Sequence, residues 1–121
     1  MLEPFTLCMA LTVYHEARGE PMKGQMAVAL VTLRRAKRKP ENICEIVYAP
    51  YQYSWTIKKP HPQVKDMAAW QAAVEVAQMV WYIKDFTGRA THYHANYVYP
   101  DWANGMVQTI TIGNHIFYRK P

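Results

Sequence analysis

The densest group of chemically capable side chains is Tyr14-His15-Glu16-Ala17-Arg18-Gly19-Glu20, with two carboxylates, an imidazole and a guanidinium in seven residues. An ordinary helix end does not require that concentration. Glu16 falls in the last turn of a helical pattern. There the negative end of the helix dipole and the neighbouring Glu20 both disfavour its ionised form. If apolar aromatic groups also cover it, the carboxyl keeps its proton near neutral pH, as a general acid must. The plainer alternative is a helix end with Glu16 paired to Arg18.

Other constellations carry less. His92 and His94 are two apart, so on a strand they share one side. His115 would complete a three-imidazole set of the kind zinc accepts, with a fourth position open. His15-Glu16 begins like a metalloprotease helix, but position 19 is Gly where a second His is needed. No Cys-x-x-Cys occurs, and we expect no metal and no cofactor. Ser54 is the only serine and lacks a Gly-x-Ser-x-Gly frame. There is no glycine-rich phosphate loop and no helix-turn-helix, zinc-finger or single-strand-binding signature, so nucleic acid is not an expected partner.

The elements that must hold these groups follow from periodicity. Leu7, Ala10, Leu11 and Tyr14 predict a helix over 6–17, ended by Gly19 and Pro21. A second, buried helix is predicted over 21–37, closing in the basic cluster Arg34, Arg35, Lys37, Arg38 and Lys39. That cluster reads as a solvated helix end, or alternatively as a contact for an anionic polymer. Asn42 and Glu45 have capping-box spacing ahead of a short helix over 43–48. Residues 49–63, with three prolines, form a loop containing Gln52-Tyr53-Ser54-Trp55. A third long helix is predicted over 66–83. From Ala90 the composition turns strand-like, with strands at 91–95, 107–112 and 115–118 and a turn at Gly113-Asn114. The fold class is α+β: helices first, then a small C-terminal antiparallel sheet.

The chain has 121 residues, half of them hydrophobic, which suits one domain spanning 1–121. Fourteen Lys and Arg against nine Asp and Glu give +5, a balance that favours anionic partners. No apolar run reaches membrane-spanning length, and Met1-Leu2-Glu3-Pro4 lacks the basic region of a secretory signal. Cys8 and Cys44 read as buried thiols, with a single bridge as the alternative. Sixteen aromatic residues, many in polar stretches, read either as core filling or as a groove that stacks flat ligands, sugars or bases.

Four blocks, taken in order, resemble the SleB-type cell wall hydrolases, a family that includes spore-cortex lytic enzymes and phage endolysins. They are Tyr14-His15-Glu16-Ala17-Arg18-Gly19-Glu20-Pro21 with Gly24-Gln25-Met26-Ala27; Gln52-Tyr53-Ser54-Trp55; Ala90-Thr91-His92-Tyr93-His94-Ala95; and Ile112-Gly113-Asn114-His115-Ile116-Phe117-Tyr118. The resemblance implies a lysozyme-like fold that cleaves the MurNAc–GlcNAc bond of bacterial peptidoglycan, with Glu16 as catalytic acid. It also implies a lytic transglycosylase outcome, in which the sugar's own C6 hydroxyl closes a 1,6-anhydro ring. Substrate contacts are then expected from Glu20, Gln25, Gln52, Tyr53, Ser54, Trp55, His92, Tyr93, His94 and Trp102. Tyr53, Trp55, Tyr93 and Trp102 would stack sugar faces, while Gln52, Ser54, His92 and His94 would hold hydroxyls and acetamides. His15 stands where several relatives have Asn or Gly and is expected to face solvent. His115 and Tyr118 are expected in a strand packed against the groove. A hydrolytic muramidase would need Glu20 or Asp101 as a second carboxylate. A non-catalytic peptidoglycan- or nucleic-acid-binding module and a zinc amidase using His92, His94 and His115 are the rival classes. The expectation is a monomeric phage endolysin, accumulating in the host cytoplasm without a signal peptide or membrane insertion and reaching the wall through a membrane lesion.

Overall fold

The computed structural model describes residues 2–121; Met1, at the head of the stretch read as lacking a leader, lies outside them. Four helices precede a three-stranded sheet, as the α+β reading requires. The helices are α1 (Pro4–Ala17), α2 (Met22–Arg35), α3 (Pro40–Tyr48) and α4 (Met67–Met79). The strands are β1 (His92–Ala95), β2 (Val107–Ile112) and β3 (His115–Arg119). No helix among the described residues is long and apolar enough to cross a membrane.

α2 is the central element. Seven consecutive residues, Ala27 to Leu33, are buried, so the helix has neighbours on every side. One core lies between α1, the far half of α2, α3 and α4, around Met9, Val13, Tyr14, Leu33 and Ile43. A smaller core, with Val28, Val31, Ile112 and Phe117, joins α2 to the sheet. Tyr14 fixes the end of α1 against the start of α4. Its hydroxyl oxygen accepts the Lys65 and Asp66 N–H groups, both at 3.1 Å, and an Arg18 N–H at 2.6 Å.

The sheet is antiparallel throughout, in the order β1-β3-β2. Gly113 turns the β2–β3 hairpin at φ 54°, a conformation that glycine adopts without cost. In the β1–β3 register His92 faces Tyr118 and His94 faces Ile116, whereas Tyr93 faces Phe117 and Ala95 faces His115. Opposed residues share a side, so His92 and His94 lie on one face of the sheet and Tyr93 and His115 on the other.

Three sequence expectations are corrected. Cys8 and Cys44 form a disulfide, their Cα atoms 5.4 Å apart, because α1 and α3 pack with these positions facing. The capping box is not formed: α3 starts earlier, with Pro40 in its first turn, and Asn42 Nδ2 donates instead to the Ala36 carbonyl at 3.2 Å. The third long helix is shorter than 66–83. Asp66 caps it, accepting the Ala69 N–H at 3.0 Å, and beyond Met79 the chain tightens into a 3-10 turn over Val80–Tyr82.

Candidate active site

Glu16 sits in the last turn of α1, where the helix meets the sheet, and its side chain is turned inward. The Tyr93 hydroxyl, projecting from β1, donates to Glu16 Oε1 at 2.5 Å. Behind them lies Arg35. The sequence places it in a solvated cluster, but its guanidinium turns in and its Nε donates to the Thr91 carbonyl at 2.7 Å. It also lies over the Tyr53 ring, 5.3 Å from its centre. These groups and Ser54 surround the carboxyl at the edge of a groove of about 430 Å³. His15, Glu16, Ser54, Tyr93, His94, Ala95, Tyr97, Val98 and His115 line it.

Burial raises the Glu16 pKa above the usual carboxylate range. The Tyr93 hydroxyl, the Arg35 charge and the Ser54 hydroxyl each pull part of the way back. The cause therefore differs from the sequence reading, which gave Glu20 a share. Arg18 is engaged with Tyr14 and not with Glu16. Tyr93 itself is pushed well above its ordinary value, first by burial and then by the Glu16 charge, so it stays protonated and donates. The site thus holds a shielded carboxyl that is bound by Tyr93 and lines the groove.

The predicted contact residues separate into two groups. Glu16, Ser54 and Tyr93 meet at the groove, and His94 contributes to its lining although its ring packs with Tyr118 and Trp102 on the other face of the sheet. Glu20 does not line it. Its carboxylate accepts the Asn114 N–H at 2.8 Å and the Asn114 side-chain amide at 3.1 Å, clamping the β2–β3 turn to the start of α2. Gln25 Nε2 donates to the Glu20 carbonyl at 3.1 Å and pins the α1–α2 connection. Gln52 is exposed outside the groove lining. Tyr53 is 2% exposed, with its hydroxyl 2.6 Å from Thr32 Oγ1. Trp55 is 5% exposed, beneath His15 and against Tyr48 and His61. Neither ring can stack on a sugar. Trp102 packs on His92, His94 and Tyr118, on the face of the sheet turned away from Glu16.

The histidines divide likewise. His92 pairs with Thr91 Oγ1 on the far face. His94 is 6% exposed with both nitrogens occupied: Nδ1 donates to the Ala95 carbonyl at 2.8 Å and Nε2 accepts from the Tyr118 hydroxyl at 2.8 Å. His115 stands across the sheet from both, so the three-imidazole set does not converge. It packs edge-on against Tyr93 at 5.1 Å, with Nδ1 3.8 Å from Glu20 Oε1. His15 is half-buried on Trp55, 4.9 Å between ring centres, where the sequence expectation had it facing solvent. Burial lowers the pKa of both His15 and His115, so each is neutral at pH 7. Tyr97 and Val98 are groove residues that sequence reasoning missed, as it missed the groove position of His15 and the place of Arg35 behind the carboxyl. Arg35 was hidden in a run of surface cations, and Tyr97 in a run of tyrosines.

With this geometry in hand, similarity to known proteins is informative. A family model described as Cell Wall Hydrolase matches residues 19–118, beginning three residues beyond Glu16. A spore cortex-lytic enzyme of Halalkalibacterium halodurans is 32% identical over 112 residues, covering 90% of this chain and 33% of that protein. One from Oceanobacillus iheyensis is 32% identical over 119 residues, covering 90% and 39%. The chain therefore spans between a third and two fifths of the curated relatives it matches. The catalytic domain of the Bacillus cereus SleB protein superposes with a TM-score of 0.72 at 28% identity, over 95% of this chain and 89% of that one. The catalytic domain of a germination-specific lytic transglycosylase, SleB from Bacillus anthracis, gives 0.75 at 27% identity, over 98% and 97%. The chain belongs to the SleB-type cell wall hydrolase family and has the lysozyme-like fold of its catalytic domains.

Proposed function

We propose that this chain cleaves the MurNAc–GlcNAc bond of peptidoglycan as a lytic transglycosylase, with Glu16 as both acid and base. One observation carries the reading: among the described residues, Glu16 is the sole carboxylate lining the groove. Two-carboxylate glycosidases need a second acid across the scissile bond. Glu20 is bound to the β2–β3 turn, and Asp101 lies in the turn beside Trp102. A single acid must then serve twice. The Glu16 carboxyl gives its proton to the glycosidic oxygen as the C1–O bond breaks. The resulting carboxylate, stabilised by the Tyr93 hydroxyl and the Arg35 charge, then takes the proton from the MurNAc C6 hydroxyl as O6 bonds to C1. The acid is regenerated and no water is consumed. Exposed Tyr97 and Val98 offer the groove's apolar contact for a sugar face.

Mass spectrometry of digested muropeptides tests this. Anhydro products, lighter by one water than hydrolysed ones, are expected; reducing-end MurNAc would assign a hydrolytic muramidase instead. For its setting, we propose a monomeric phage endolysin that reaches the wall from the host cytoplasm, aided by its +5 charge. Expression in a bacterial host should give lysis only after the membrane is opened with chloroform. Lysis of the unopened cell would count against that setting.

A further inference from the structure

The cations around the end of α2, other than Arg35, are not scattered. Arg34 joins two shallow cavities of about 250 and 420 Å³. Arg34, Lys37 and Arg38 line the first, with Asp85; Arg34, Arg89, Arg119 and Lys120 line the second. Six cations thus face one acid, and that acid is already occupied. The Asp85 carboxylate accepts the Thr87 N–H, the Thr87 hydroxyl and the Arg89 N–H, and meets Arg34 at 3.4 Å. Backbone carbonyls hold two of the guanidinium groups: Arg38 donates to Trp81 at 3.0 Å and Arg119 to Gly88 at 3.4 Å.

The backbone adds a second, independent observation. Lys37, Arg38 and Arg89 have φ of 55°, 57° and 63°, the left-handed region that favours glycine or asparagine. Tyr51 is the only other non-glycine residue in that region among the described residues. Three positions on one face thus carry long cations where glycine or asparagine would fit with less strain, a pattern found at functional surfaces. The face is also separate from the groove. Thr91, Arg119 and Lys120 lie at the end of the β1–β3 ladder opposite Ala95 and His115.

We propose that this face binds a phosphodiester-linked polyol or sugar polymer carried on the bacterial wall. Arginine forks match phosphate oxygens in pairs, and two adjoining cavities suit an anion that repeats along a chain. No aromatic side chain lines either cavity, so there is nothing on which the bases of a single-stranded nucleic acid could stack. Binding here needs no turnover and goes beyond the glycosidase reading; an inactive Glu16→Gln variant should bind the polymer normally.

The test uses purified polyglycerol phosphate, and wall sacculi before and after hydrofluoric acid removes phosphodiester polymers. The triple variant Lys37→Asn, Arg89→Asn, Lys120→Gln should bind polyglycerol phosphate at least tenfold more weakly. Its log affinity against log salt should be shallower by about two units, as expected for three lost ionic contacts. Retention on intact sacculi should fall, while retention and digestion on stripped sacculi stay unchanged. The single variant Lys120→Gln, at an exposed position, gives the same readout in smaller degree if the triple variant misfolds. Unchanged polymer binding in both variants, an equal loss on stripped sacculi, or stronger binding to duplex DNA of matched phosphate content would overturn the proposal.

Discussion

The Tyr93 hydroxyl donates to Oε1 of Glu16, the one carboxylate among the residues that line the groove. That single contact links the end of the first helix to the first strand, 77 residues later. It also sets two demands of the proposed mechanism against each other. Burial favours the protonated acid, while the Tyr93 donor favours the carboxylate that must exist between the two proton transfers.

Glu16→Gln should abolish wall lysis, by about a thousandfold or more, yet keep the fold, because the amide oxygen still accepts from Tyr93. It should also stabilise the protein. A buried acid with a raised folded-state pKa binds more protons folded than unfolded, so its stability falls as pH rises from the unfolded pKa through the folded one. Gln removes that loss. Thermal melts at pH 4 and pH 7 should differ less for the variant than for the parent, and a variant less stable at pH 7 would contradict the assignment.

Tyr93→Phe removes a donor that lowers the Glu16 pKa. The alkaline limb of the pH–rate profile should therefore move to higher pH. The maximal rate should fall by about 10²-fold, since the intermediate carboxylate loses its hydrogen bond. A lower rate with an unmoved limb would reduce Tyr93 to a packing role.

Tyr97 and Trp102 separate the two faces of the sheet. Tyr97→Ala, at the groove, should raise KM for glycan strands about tenfold with little change in melting temperature. Trp102→Ala, across the sheet, should lower the melting temperature while leaving KM near the parent value. Steady-state kinetics with both variants checks this, and the reverse pattern would move the groove to the other face.

Gly113→Ala should destabilise by about 2 kcal/mol. The residue has positive φ, and an added Cβ would run into Glu20 Oε1 and the Pro21 ring. Because Glu20 and His115 adjoin, activity should fall with it. Urea unfolding monitored alongside lysis is the measurement.

The Cys8–Cys44 bridge closes a loop between positions 36 residues apart, which restricts the unfolded chain by about 3–4 kcal/mol. The paired Cys8→Ala and Cys44→Ala variant should unfold at correspondingly lower urea and remain active below its midpoint.

Much of this was legible in the sequence, and the misses have physical reasons. Helical spacing and strand-like composition located the four helices and three strands, because the middle of α2 is buried on all sides and the β-branched residues cluster after Ala90, but not the 3-10 turns. Glu16 stood out because its neighbours are polar where a helix end needs none. Contact roles were less legible, since a tyrosine or tryptophan in a polar stretch is written alike whether it stacks on ligand or fills a core. Tyr53 and Trp55 went inward because Thr32 and His15 offer partners that only the fold brings near. Arg35 was obscured for the opposite reason: one position's rotation around α2 separates it from the outward-facing Arg34. The cysteine pairing likewise depends on a helix–helix approach that spacing does not encode.

The bridge between α1 and α3 also ties the molecule to its surroundings. A thiol-buffered compartment holds such a pair in the two-electron-reduced form, whereas the space beyond a bacterial membrane allows those electrons to leave. A chain synthesised on the reducing side would travel with that staple open and close it only on arrival. It would then be most resistant to unfolding where no chaperone stands by.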